Sequence, residues 1–215
     1  MSLKSKQSNE EIASFIPPKK HLFYTNGLML IIGALLVLSS WNMSERSWSV
    51  LGVSTPSINI YGVISMVVLA VFYISDMLYS WFNRPYLSDK MKDMSFVIPL
   101  NWLEYRHYIF LAFAAGICEE IIFRGFLINY MAHLLGDIPY SYIIAIIIPS
   151  VVFAISHLYQ GWWAVIKIFI IAILLGLIYF YSASLLWVII IHIAIDLISG
   201  LVGILGPKST SDMVD

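Results

Sequence analysis

Three short patterns in this chain carry residue types that do chemistry, set in surroundings where such residues are costly. The first is Glu119-Glu120-Ile121-Ile122-Phe123-Arg124. Glu120 and Arg124 are i,i+4 with the acid N-terminal, so on a helix they share a face and can pair. Glu119 is turned by about 100° from Glu120 on a 3.6-residue helix, away from that arginine. A desolvated carboxyl without a counter-ion suits a general base working near neutral pH; the plainer alternative is a carboxyl that hydrogen-bonds between helices. Gly116 and Gly125 flank the pair and permit close helix approach. The second pattern, Phe153-Ala154-Ile155-Ser156-His157, sets a ring and an imidazole on one face, where a lone histidine ordinarily meets headgroups. The third, His192-Ile193-Ala194-Ile195-Asp196, stacks imidazole over carboxyl, so that the acid can hold the ring in one orientation.

The surroundings are a membrane. Of 215 residues, 60% are apolar and 12% charged, with mean hydropathy +0.85. A soluble domain carries about 25% charged residues, so this chain cannot cover a water-facing surface. The same figures exclude disorder, a secreted disulfide scaffold and a nucleic-acid binder; a single cysteine, Cys118, forbids an internal disulfide. Apolar stretches at 22–40, 58–80, 108–135, 141–158, 163–181 and 184–206 each approach the roughly 18–25 residues that cross a bilayer. Backbone groups in lipid must be satisfied internally, so these are helices. The expected fold is an all-α polytopic bundle of about six transmembrane helices, with room for extra interfacial or re-entrant ones. Its parts are a polar tail (1–21), two N-terminal spans with a long connection (22–107), a helical core (108–206) and a second tail (207–215).

Lys4, Lys6, Lys19, Lys20, Arg84, Lys90, Lys92, Arg106 and Lys208 fall on the side of the N-terminus, against Arg46 on the other. The positive-inside rule then places both termini in the cytoplasm of a multi-pass cell-membrane protein. Trp41, Trp81, Trp102, Trp162 and Trp163 near span ends read as interfacial anchors. The connection 82–107 reads as an amphipathic stretch on the cytoplasmic face or as an ordinary loop. Asp76, near the end of the second span, reads as structural, reaching headgroups. An ionisable residue deep in a span costs about 2.5–3.5 kcal/mol, so Glu119, Glu120, Arg124, His192 and Asp196 call for a reason. At about 1.5 Å per residue, Glu119 and His192 meet near the midplane. His157 lies nearer the cytoplasm, which a cavity opening to that side or a tilted fourth span would reconcile.

EE-x-x-x-R, F-x-x-x-H and H-x-x-x-D, in this order on successive apolar helices, resemble the CPBP family, the CAAX-protease and bacteriocin-processing (Abi) intramembrane proteins. GICEEIIFRGFL is similar to that family's first motif, and the likeness covers about residues 110–200. The resemblance implies a glutamate-type intramembrane endopeptidase acting on a membrane-embedded or lipidated peptide or protein. Glu119 would activate water with help from His157, and His192 with the last motif residue would stabilise the oxyanion. Glu120, Arg124 and Phe153 would be structural or substrate-orienting. That last position is often asparagine in CAAX-processing members. An ionised Asp196 cannot donate to an oxyanion, so it is assigned to orienting His192. No cofactor is expected; a carboxylate with two imidazoles and an aspartate leaves zinc open. HExxH, GxSG and GxGD motifs are absent from the sequence. Two other classes remain: a non-proteolytic regulatory or bacteriocin-immunity partner, and a proton-coupled transporter, for which inverted repeats are lacking.

Overall fold

The computed structural model describes residues 18–83, 94 and 97–206, and there is no strand among the described residues. In chain order the elements are α1 (Lys19–Met43), α2 (Ile60–Phe82), α3 (Trp102–Glu120), a π-helical segment (Ile121–Ile128), α4 (Asn129–Leu135), α5 (Ser141–Ser156), a 3₁₀ turn (Leu158–Gln160), α6 (Trp162–Ser182) and α7 (Leu185–Leu205). α1, α2, α6 and α7 are each long and apolar enough to cross a membrane, and α5 is a shorter apolar helix. Their outer faces expose large apolar side chains such as Leu36, Val71, Ile155 and Ile190, surface that lipid covers and water does not. This is the build of an integral membrane protein, the all-α bundle that the apolar runs lead one to expect. Residues 1–17 and 207–215 of the tails, and 84–93, 95 and 96 of the connection, lie outside the described residues.

The helices start where polar caps can take the first free N–H groups. The side chains of Asn59 and Asn101 accept from Gly62 N at 3.0 Å and Glu104 N at 2.9 Å. The second cap moves the start of the third span to Trp102, upstream of the expected residue 108. Glu104 there accepts from Leu100 N (2.9 Å) and from Lys19 Nζ (2.8 Å). That ion pair sets the first turn of α1 beside the first turn of α3, so the two helices run parallel.

The other pairings are antiparallel. α2 lies on α6, α5 on α6, and α3 on α7. In the last of these the two backbones come close together. A Cβ placed on Gly116 would stand 2.5 Å from Ile193 Cγ1, 3.0 Å from its N and 3.2 Å from its Cα. Only glycine lets the two backbones approach so far, and this contact lies within a turn of Glu119, Glu120 and His192.

The loop between α1 and α2 folds back over the end of the bundle. Leu51 is fully buried, its carbonyl 3.0 Å from where a Cβ of Gly125 would be, and Gly52 O accepts from Leu185 N at 3.0 Å. Trp41 belongs to this cover. It is 1% exposed and donates to Ser47 O at 3.3 Å, so it is a packed core residue and not the interfacial anchor expected from its position. Trp102, Trp162 and Trp163 remain exposed near helix ends.

Candidate active site

The third span does not continue as one α-helix. After Glu120 it widens into π-helix from Ile121 to Ile128 before α4 resumes. A widened turn leaves backbone carbonyls to be satisfied elsewhere. Asn129 Nδ2 lies 2.7 Å from Gly125 O, 2.9 Å from Val50 O and 2.8 Å from Tyr179 Oη, binding the segment to the overlying loop and to α6. The uniform 3.6-residue helix assumed for the motif is therefore corrected, although Glu120 and Arg124 still meet.

Glu120 is the centre of the cluster. It is wholly buried, and its Oε1 accepts from Arg124 Nη1 at 2.9 Å and from His192 Nδ1 at 2.6 Å. Arg124, 2% exposed, also donates to Ala172 O at 3.3 Å and lays its guanidinium over the Phe153 ring, 4.8 Å from the centroid. Both charges are thus compensated, the condition under which buried ions are tolerated. Glu120 Oε2 has no partner among the described residues.

His192 joins the remaining acids. Its Nε2 stands 3.7 Å from Glu119 Oε2 and 3.7 Å from Asp196 Oδ2. Carboxyls face both ring nitrogens, so two N–H groups of an imidazolium would each have an acceptor nearby. The group within hydrogen-bond distance of His192 is Glu120 of α3, whereas Asp196, one turn along α7, is farther off.

His157 is placed by the end of α5. Its backbone N donates to Ala154 O, and its Nδ1 is 2.8 Å from Phe153 O, a carbonyl left open at the helix terminus. A carbonyl can only accept, so that contact puts a proton on Nδ1, and a neutral ring then carries its lone pair on Nε2. The Phe153 ring lies 4.8 Å from the His157 ring and 6.2 Å from the His192 ring. Phe153 thus spaces the two imidazoles and at the same time supports Arg124.

A cavity of about 260 Å³ runs from His157, His192 and Asp196, between α2, α6 and α7, toward Ser80 and Gly203. It leads away from the end covered by the Leu51 loop, toward the end that holds Lys19 and the start of α3. This accounts for the depth of His157. Two polar groups of its wall stand outside the three motifs. Asp76 of α2 forms an ion pair with Lys167 of α6, so it has a protein partner inside the bundle where headgroup contact was expected. Tyr73 of α2 donates to Ile195 O at 3.1 Å and meets Ser199 Oγ at 2.9 Å. The signal was the opposite charges in two apolar runs, which composition alone does not pair. Cys118 is buried beside Glu119. Among the described residues, no group of three or more His, Cys, Asp or Glu side chains is arranged to hold a metal ion.

No curated protein and no solved structure matches the chain. Residues 101–198 match the model of the family described as type II CAAX prenyl endopeptidase Rce1-like. That stretch contains every side chain of the cluster, and over it the chain is similar to a family of membrane proteases, consistent with the CPBP motifs that its sequence carries.

Proposed function

We propose that the protein is an intramembrane endopeptidase of the CAAX type II kind, in which Glu119 activates water against a peptide bond of a membrane-embedded or lipidated substrate. The observation that carries this reading is the placement of His192. Its Nδ1 is engaged by Glu120, its Nε2 is 3.7 Å from the Glu119 carboxyl, and it lines a cavity within the bundle. Glu119 takes a proton from water as the oxygen adds to the scissile carbonyl. His192 donates to the resulting oxyanion from a water-poor site, where such stabilisation is strong. The proton then goes to the leaving nitrogen as the C–N bond breaks, with the free Nε2 of His157 close enough to the cavity to share in the transfer. Glu120 and Arg124 keep His192 in place, and Asp196 lies beside its Nε2. The basic residues favour cytoplasmic termini, and the cavity then opens toward the cytoplasm.

The test uses purified protein in lipid vesicles and an internally quenched, farnesylated CAAX peptide. Wild type should cleave it, and Glu119→Gln should lose about 10²–10⁴-fold in rate, the usual contribution of a general base. Equal cleavage by the two proteins would remove Glu119 from the mechanism. If His192→Ala kept full cellular activity, the chain would act as a non-proteolytic partner instead.

A further inference from the structure

A peptide must be extended to be hydrolysed, and an extended peptide carries unpaired amides. In an apolar cavity each of those groups, left unpartnered, costs several kcal/mol. The cluster around His192 serves the scissile carbonyl alone, so the neighbouring amides need partners elsewhere on the cavity wall. α2 supplies a wall that carries none of the motif residues, and one of its polar groups is unusual. Ser80 is 4% exposed, lines the cavity and has no hydrogen-bond partner among the described residues. A serine within a helix commonly returns its hydroxyl to the carbonyl four residues back. Ser65 of the same helix does so, to Tyr61 O at 2.9 Å. Ser80 does not.

Tyr73, Asp76 and Ser80 are spaced three and four residues apart, so they lie along one face of α2. Tyr73 touches α7 at Ile195 O and Ser199, next to Asp196, and Asp76 pairs with Lys167 across the cavity. From Tyr73 to Ser80 the helix rises about 10 Å, the length of a short extended segment. From the catalytic end, the wall therefore offers the Tyr73 hydroxyl, the Asp76–Lys167 pair and the Ser80 hydroxyl in sequence.

We infer that this face of α2, with Ser80 as its open hydrogen-bonding group and the Asp76–Lys167 pair beside it, is a subsite that binds the backbone of an extended peptide next to the scissile bond. The inference rests on the proteolytic reading above. It also gives α2, outside the family match, a part in selecting substrate.

The experiment measures KM and kcat for the quenched farnesylated peptide in vesicles, and its binding by fluorescence anisotropy with a labelled peptide. Ser80→Ala should raise KM about three- to tenfold with kcat unchanged, the loss of one binding hydrogen bond. Ser80→Thr, which keeps a hydroxyl, should restore it. A peptide with an ester in place of the contacted amide should bind wild type more weakly and show no further loss with Ser80→Ala. Unchanged KM in Ser80→Ala, or a fall in kcat alone, would overturn the subsite and leave the protease standing. Failure of wild type to cleave, with anisotropy still weakened by Ser80→Ala and restored by Ser80→Thr, would keep the subsite and remove the protease.

Discussion

Glu120 and Glu119 are adjacent carboxyls in different surroundings, and replacing each by glutamine separates the tasks proposed for them. Glu120→Gln keeps the shape but removes the charge on which Arg124 and His192 both depend, through contacts of 2.9 and 2.6 Å. A hydrogen bond to a charged group contributes about 1.5–3 kcal/mol and a neutral one about 0.5–1.5, so the two contacts together lose about 2 kcal/mol. The new amide also puts an NH₂ near the position of Oε2, which has no partner among the described residues; stranding a buried donor costs about 1–3 kcal/mol more. The total of about 3–5 kcal/mol agrees with the general cost of removing one partner of a buried ion pair. Glu119→Gln differs, because His192 Nε2, the basic group it faces, is 3.7 Å away and the side chain is 14% exposed. Its loss should be below about 1 kcal/mol. The single cysteine, Cys118, is 6% exposed and reports unfolding when a thiol-reactive fluorophore reaches it during a thermal ramp in detergent. The labelling midpoint of Glu120→Gln should fall by on the order of 10 °C, while that of Glu119→Gln stays near wild type although its proteolysis is lost. Equal midpoints for Glu120→Gln and wild type, or an equal fall for both variants, would refute the assignment of Glu120 as the structural acid.

Gly116→Ala pushes a methyl into the backbone of Ile193; it should cost about 1–3 kcal/mol by the same midpoint assay and depress kcat by moving His192 from Glu120. Arg124→Lys keeps the charge but gives up the planar group that reaches Glu120, Ala172 O and the Phe153 ring together; it should not restore the activity lost in Arg124→Met. Asn129→Ala removes the side chain shared by Gly125 O, Val50 O and Tyr179 Oη; limited proteolysis of the 44–59 loop should become faster, with a stability loss of about 1–3 kcal/mol. Asp196→Asn should keep substantial cleavage activity, since Glu120 and not residue 196 is within hydrogen-bond distance of His192; inactivity at normal stability would give Asp196 a direct catalytic part.

The helices were legible because each is an apolar run with few charges, and lipid leaves the backbone no other solution. Their ends were less so. The third began at Trp102 because Asn101 and Glu104 form a cap of the N-x-x-E kind, a polar signal that a search for hydrophobicity passes over. Arg124 and Glu120 were paired correctly from spacing alone, since i,i+4 neighbours meet on a helix and the widened turn did not part them. Trp41 was misplaced because position near a span end says nothing of whether the chain folds back over that end, as the Leu51 loop does. Asp76 was not matched to Lys167, because a pairing 91 residues apart in sequence rests on how α2 lies against α6.

The partner of His192 shows where spacing stops being informative. Asp196, one helical turn from His192, looked like the group that orients it. Residues four apart on a helix stack with their Cβ atoms about 6 Å apart, and only a particular pair of rotamers brings the tips together; here they stop at 3.7 Å. A carboxyl from a facing helix has no such constraint, provided that the helices come close enough. The missing Cβ of Gly116 lets α3 approach α7 within a turn of the site, and Glu120 then reaches Nδ1 at 2.6 Å. The hydrogen bond that holds the imidazole thus comes from the α3–α7 contact, with Asp196 of the H-x-x-x-D motif farther off. Because the acid that holds the ring also neutralises Arg124, the ring, the ion pair and the close glycine contact form one unit, and Glu119, the proposed base, lies outside it.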